Sequence, residues 1–221
     1  MIKIKKLIDL LKKNKSDFFT GVPDSILKEL SYSLQSKNYK NHILATNEGS
    51  AVSLGIGKYL STQKVPVVYM QNSGLSNALN PLISIAHEKV YSIPLILIIG
   101  WRGSPRIKDE PQHNVKGKIT EQLLKLLNIK YTILRTNLDL KKFDKQIKIA
   151  KKNKRIVACL IEQGVIEKTK KITKKKDFYK LNKEFFLKTL LENLPKNSKI
   201  ISGTGYNSRE IMYLRKKFKI K

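Results

Sequence analysis

The sequence is short of cysteine: Cys159 is the single one in 221 residues. One thiol cannot close an internal disulfide, so stability must come from an apolar core, and a cytoplasmic location is the expectation. Long hydrophobic runs are missing too. No stretch approaches the ~18 apolar residues that a membrane-spanning helix requires. The longest candidate, Ile93 to Trp101, contains Pro94 and has the length of a strand. The opening residues, Met1-Ile2-Lys3-Ile4-Lys5-Lys6, lack a continuous apolar centre and a small-residue cleavage site, so no signal peptide is expected. The three histidines, His42, His87 and His113, do not have metal-ligand spacing. There is no serine elbow and no Gly-x-Gly-x-x-Gly fingerprint; Gly55-Ile56-Gly57 is a partial match inside a helical pattern.

Acidic residues are also scarce, 17 against 45 basic ones, for a formal charge of +28. Such an excess raises the question of nucleic acid. Arginine, whose planar fork reads phosphates and bases, accounts for only six positions: Arg102, Arg106, Arg135, Arg155, Arg209 and Arg215. From Asn41 to Val115 the only lysines are Lys58, Lys64, Lys89 and Lys108. Charge concentrated on outer helices reads as a lysine-rich solvated surface, with no specific nucleic-acid partner and no membrane partner expected. A basic protein would still draw an anionic small molecule toward it.

What is present is an alternation of helix and strand. Ile4, Leu7, Ile8 and Leu11 mark an amphipathic first helix. Strands are expected at Asp17 to Thr20, His42 to Ala45, Val65 to Met70, Pro94 to Gly100, Tyr131 to Leu134 and Ile156 to Ile161, with helices between them. One helix, Glu48 to Leu60, is dense in Gly, Ser and Ala, which points to close packing against another backbone. Another runs from Leu75 to Ala86, and a polar loop extends from Trp101 to about Lys116. The pattern predicts an α/β fold with a doubly wound, six-stranded parallel sheet. Residues 1–163 form this domain, 164–180 a lysine-rich linker, and 181–221 a further helix, a strand at Ile200-Ile201 and a last helix after Asn207-Ser208.

Ligands of open parallel sheets bind beyond the carboxyl ends of the strands. Four segments fall there: Gly21 to Ser25, Thr46 to Gly49, Gln71 to Gly74, and Trp101 to His113. Position alone does not name a reaction. Glu48 on its own reads first as a first-turn glutamate favoured by the helix dipole. Gly74 reads as an anion-binding turn or a tight strand-to-helix connection, and His113 as a surface-loop histidine.

Taken together the segments resemble a family. Phe19-Thr20-Gly21-Val22-Pro23-Asp24-Ser25, Ala45-Thr46-Asn47-Glu48-Gly49-Ser50, Gln71-Asn72-Ser73-Gly74-Leu75-Ser76-Asn77, Gly100-Trp101-Arg102-Gly103 and Asp109-Glu110-Pro111-Gln112-His113 are similar to the pyrimidine-binding domain of phosphonopyruvate decarboxylases. These are thiamine-diphosphate-dependent 2-oxo acid decarboxylases, and sulfopyruvate decarboxylases resemble them. The resemblance implies that Glu48 activates the cofactor through its aminopyrimidine ring, with Asn72, Ser73, Gly74 and Asn77 also on the cofactor side. It implies that Ser25, with Asp24 beside it, faces the reacting carbon, that His113 serves proton transfer or anion binding, and that Gln112 lies on the substrate side, where Arg102 and Arg106 can hold the phosphonate because guanidinium matches such groups bidentately. Magnesium would accompany the diphosphate, with no metal ligand in this chain.

Ser202-Gly203-Thr204-Gly205-Tyr206-Asn207-Ser208-Arg209-Glu210 resembles the opening of the family's diphosphate-binding domain, and the Gly-Asp-Gly…Asn segment of that domain is absent. The expectation is therefore a truncated decarboxylase that supplies half a site, inactive alone. The complement would come from a homo-oligomer or a separate diphosphate-domain chain. The alternatives are the α subunit of a sulfopyruvate decarboxylase and a non-catalytic remnant or assembly partner.

Overall fold

The computed structural model describes residues 1–36, 40–168, 181–195, 197–203 and 205–219. Its element order follows the expected alternation. Helix α1 (Ile4–Lys13) buries Leu7 and Leu11, leads into β1 (Phe19–Gly21), and is followed by α2 (Lys28–Ser36) and β2 (His42–Leu44). Next come α3 (Glu48–Thr62), β3 (Val67–Gln71), a 3-10 turn at Asn72–Gly74 and α4 (Leu75–Pro81). Then follow β4 (Ile96–Trp101), α5 (Pro111–Leu126), β5 (Lys130–Leu134), α6 (Asn137–Lys152) and β6 (Val157–Glu162). No helix among the described residues is long and apolar enough to cross a membrane.

The six strands form one sheet in the order β2-β1-β3-β4-β6-β5, every pairing parallel. This is the doubly wound α/β architecture. β4 and β6 are buried along their whole length, as befits interior strands covered by helices on both faces. Their apolar runs, Ile96–Ile99 and Val157–Ile161, form the middle of the core. Winding reverses between β1 and β3: the chain goes from β1 outward to β2, then returns to β3 on the other side. Such a switch point opens a crevice at the carboxyl ends of the two strands.

Several boundaries differ from expectation. α5 begins at Pro111, so the loop after β4 is shorter than the predicted Trp101–Lys116 stretch, and Gln112 and His113 lie in a helix's first turn. Proline suits a first helical position, where its missing N–H has no helical partner to lose. The helix is hard to read because its packed face includes Gly117 and Thr120 while Val115 and Ile119 are exposed, so apolar periodicity is weak. The helix predicted over Leu75–Ala86 is α-helical only to Pro81, and Leu82–Ala86 forms a π-type turn; Pro81 cannot donate the usual backbone bond.

The small-residue helix α3 packs closely at one place: a Cβ on Gly49 would come within 2.9 Å of the Asn77 carbonyl oxygen. Gly57, by contrast, has nothing within 4 Å of where a Cβ would lie.

The chain divides into two compact units, Met1–Thr169 and Lys170–Lys221. The first includes Ile166, which bridges to Ile2 and is buried in the core, although the sequence assigns it to the linker. The second holds α7 (Lys183–Asn193) and α8 (Tyr206–Lys217) around Leu187, Leu191 and Leu214. The strand predicted at Ile200-Ile201 is not formed: Ile201 is 99% exposed. A strand exists through pairing, and none of the described residues of this unit forms a strand for it to pair with.

Candidate functional site

All four segments singled out in the sequence leave the carboxyl edge of the sheet, around the switch point. Asn47 caps α3 by accepting the Ser50 N–H at 2.9 Å, which makes Glu48 the first residue of the helix. From there the half-buried carboxylate reaches across to the turn that follows β3. Oε2 accepts a hydrogen bond from Asn77 Nδ2 at 2.9 Å. Oε1 lies over Gly74, where any Cβ would overlap the carboxyl group. No lysine or arginine among the described residues forms an ion pair with Glu48. Glycine at position 74 is thus required by close approach, and among the described residues one carboxylate oxygen has a hydrogen-bond partner while the other has none. Ser73 Oγ accepts from Gln71 Nε2 at 2.6 Å, which ties the turn to the strand end.

Asn72 has a different position from the one expected for a cofactor-binding residue. It is 5% exposed, its Nδ2 donates to the Arg102 carbonyl and to Thr120 Oγ1, both at 2.9 Å, and its Oδ1 accepts the Arg102 N–H at 3.1 Å. Its amide stitches the ends of β3 and β4 to α5.

A second group stands over the end of β4. The Asp24 carboxylate is turned inward, against Gly100, where no side chain would fit. Its Oδ2 accepts the N–H groups of Ile26 and Leu27 at 3.0 and 3.1 Å, while Oδ1 is buried with no hydrogen-bond partner among the described residues. Burial pushes the Asp24 pKa up; the N–H groups of Leu27, Ile26 and Ser25 and the Arg102 charge pull it down less strongly. Ser25, next in the chain, is exposed, and its Oγ is 3.3 Å from Arg102 Nη1. The loop after β1 therefore spans the top of β3 to meet the loop after β4.

Arg102 is bound along one side by Asp109: Nε to Oδ2 at 2.7 Å and Nη2 to Oδ1 at 2.5 Å. These hydrogen bonds hold the Asp109 carboxyl well below the usual carboxylate range and raise the guanidinium further. Arg106 and Gln112 are exposed, and among the described residues neither forms a hydrogen bond or ion pair with Arg102 or Ser25. The structure brings His113 to the same edge through its backbone, since its carbonyl presses on Gly103, held at φ +66°. Its ring makes no hydrogen bond to Glu48, Ser25 or Asp24 among the described residues. Asp109 is the site residue that sequence reasoning named only as part of a motif. An acid seven residues after an arginine gives no periodic signal, because the two meet through a loop.

Comparison with known proteins bears on this geometry. Residues 4–124 match the family model described as thiamine pyrophosphate enzyme, N-terminal TPP binding domain. Phosphonopyruvate decarboxylase of Streptomyces hygroscopicus is 30% identical over 211 residues, covering 88% of this chain and 52% of that protein. Sulfopyruvate decarboxylase subunit alpha of Methanocaldococcus jannaschii is 33% identical over 124 residues, covering 56% of this chain and 70% of that protein. The chain thus spans about half the length of the phosphonopyruvate decarboxylase it matches. Among solved structures, benzoylformate decarboxylase from Polynucleobacter necessarius shares the fold with a TM-score of 0.58 at 18% identity, over 87% of this chain and 36% of that one. The chain belongs to the thiamine pyrophosphate enzymes, through their N-terminal TPP binding domain.

Proposed function

We propose that this chain supplies the pyrimidine-binding half of a thiamine-diphosphate-dependent decarboxylase, and that the 2-oxo acid is 3-phosphonopyruvate, released as phosphonoacetaldehyde and carbon dioxide. The observation that carries the reading is the Glu48 carboxylate, with Oε2 bound to Asn77 and Oε1 lying over the gap at Gly74. That donor set fits an aminopyrimidine: a carboxyl oxygen without a basic partner can share a proton with a ring nitrogen at hydrogen-bond range. When bound, the cofactor supplies the nucleophilic carbon and the electron sink for decarboxylation.

The chain's own residues do the rest. Glu48 holds and moves the proton at Oε1, and Asn77 fixes the other oxygen. Ser25 places a hydroxyl near the reacting carbon, and Arg102 offers N–H groups to the substrate's distal anion. His113, on the first turn of α5, serves proton transfer. Among the described residues no group of three or more His, Cys, Asp or Glu gathers to hold a metal, and magnesium with the diphosphate is assigned to the complementary domain. An open groove of about 990 Å³ runs from Asn77 and Gly49 along α3 and α4, lined by Ser50, Ser53, Leu54 and Pro81 among others. It is the surface we assign to that domain, whether it arrives on a second copy or on a separate chain.

Phosphonopyruvate is preferred to sulfopyruvate on the extent of similarity. The match to the Streptomyces hygroscopicus phosphonopyruvate decarboxylase spans 88% of the chain, whereas that to the Methanocaldococcus jannaschii sulfopyruvate decarboxylase subunit spans 56%.

The test combines this chain with a separately expressed diphosphate-binding domain, thiamine diphosphate and magnesium. Carbon dioxide release is then followed with each substrate. Glu48→Gln keeps the shape but not the acidic proton, so turnover should fall on the order of 10²-fold or more. Exchange of the cofactor's C2 proton, measured without substrate, should fall with it. Exchange that stays fast while turnover fails would remove Glu48 from the activating role.

A further inference from the structure

The most elaborate hydrogen-bonding group at the carboxyl edge is centred on Asp109. Its side chain is 7% exposed, and its two oxygens accept four N–H groups. Arg102 Nε and the Gly103 backbone N–H reach Oδ2 at 2.7 and 2.8 Å; Arg102 Nη2 and the Glu110 backbone N–H reach Oδ1 at 2.5 and 2.8 Å. An ion pair needs only the two guanidinium bonds. The backbone pair fixes the carboxylate itself, so the guanidinium meets an immobile partner. Arg102 is anchored at its other end as well, since Asn72 holds both its backbone N–H and its carbonyl.

The consequence is geometric. A guanidinium presents two edges on which parallel N–H bonds can grip an anion bidentately. Asp109 takes the edge formed by Nε and Nη2. The outer edge, formed by Nη1 and the second N–H of Nη2, remains, and Nη1 is the atom beside Ser25 Oγ.

We propose that Asp109 is a positioning residue for substrate: by occupying one edge of Arg102 it aims the outer edge at the distal anionic group of the 2-oxo acid, next to Ser25. This rests on the reading above that Arg102 meets that anion. Charge cannot be the main contribution of Asp109, because a carboxylate beside the arginine lowers the local positive charge. Its contribution is to hold one orientation of a side chain that is otherwise rich in rotamers. A solvated surface pair would be worth little; here the acid is almost wholly buried and bound on four sides.

The experiment uses the full chain and follows the Arg102 Nε–H by ¹⁵N NMR, with methylphosphonate as the probe. In the native chain the Nε–H should be protected from solvent exchange before any probe is added, and its resonance should shift as methylphosphonate is titrated. Asp109→Asn should lose the protection and bind methylphosphonate at least about tenfold more weakly, the scale of one charge-assisted pair of bonds. Asp109→Glu separates charge from position: it keeps the carboxylate but moves it by one methylene, and should weaken the probe's binding similarly while the remaining amide spectrum stays native. An Asp109→Glu chain that binds methylphosphonate as tightly as the native one overturns the proposal. So does an unprotected Arg102 Nε–H in the native chain. A native Nε–H that is protected yet blind to methylphosphonate overturns it through the reading it rests on, and identifies that reading as the part that failed.

Discussion

Individual residues at the carboxyl edge are defined by what surrounds their carboxylates. Asp109 and Asp24 are each close to Arg102, yet their pKa values move in opposite directions, because Asp109 is hydrogen-bonded to the guanidinium while burial dominates at Asp24. Their effects on stability have opposite signs. The depressed Asp109 contributes stability that is present above the unfolded carboxylate pKa and is lost as pH falls toward its folded value. Asp24 is raised, so the folded state binds its proton more tightly than the unfolded chain does. Its effect is a loss of stability as pH rises from the unfolded pKa of roughly 3.9 through the folded value. Asp24→Asn cannot titrate but keeps an oxygen to accept the N–H groups of Ile26 and Leu27. The stability difference between variant and native chain should therefore move in the variant's favour as pH rises through that window, then level off. Urea unfolding at a series of pH values reads it directly. A difference independent of pH would mean that Asp24 does not titrate in the fold.

Among the elements, α5 governs the shape of the substrate side. Its contact with the loop after β4 is made backbone to backbone: Gly117 packs on the Gly103 carbonyl with no room for a Cβ, and Trp101 Nε1 donates to the Gly117 carbonyl at 2.9 Å. Two effects compete when Gly117 becomes alanine. Helix propensity favours alanine over glycine by ~1 kcal/mol. Overpacking opposes it at typically ~1–3 kcal/mol, and here the obstructing atom is main chain, which cannot swing aside. Overpacking should win. Gly117→Ala is expected to lower stability by up to roughly 2 kcal/mol net and to displace the first turn of α5, with Gln112 and His113, from the Arg102 loop. Chemical denaturation and the amide shifts of residues 102–113 measure the two effects. A stabilised variant would mean that α5 is not seated on Gly103.

For the whole molecule the dominant fact is charge. The formal net charge is +28, and most of the described lysines lie on helices, as in α6, where Lys148 pairs with Asp144 and Lys142 with Asp139. Among the described residues, the basic side chains buried deepest in ion pairs are arginines bound to acids, Arg102 with Asp109 and Arg135 with Glu162. Such a surface attracts polyanions without reading them. Association with nucleic acid should be weak, show no preference among sequences, and collapse as salt rises, because counterion release supplies nearly all of it. Filter binding or fluorescence anisotropy with several unrelated duplexes at about 50 and 200 mM salt tests this. A sequence preference that survives the higher salt would contradict it.

The apolar runs of β4 and β6, the glycine and proline breaks after β1 and β3, and the helix start at Glu48 were all legible in the sequence. They are local: a strand's burial on both faces or a helix start depends on residues within a few positions. The parallel sheet and the gathering of Glu48, Ser25 and Ser73 at one edge follow from that alternation, since every crossover returns the chain to the same end. What only the tertiary structure decided is pairwise and long-range. Asn77 reaching Glu48 across 29 positions, Arg102 reaching Ser25 across 77, and Asn72 turning inward to Arg102 and Thr120 leave no periodic trace. The strand expected at Ile200-Ile201 failed for the same reason in reverse. Its sequence favours extended backbone, but a strand is a property of two segments, and the described residues of that unit provide one.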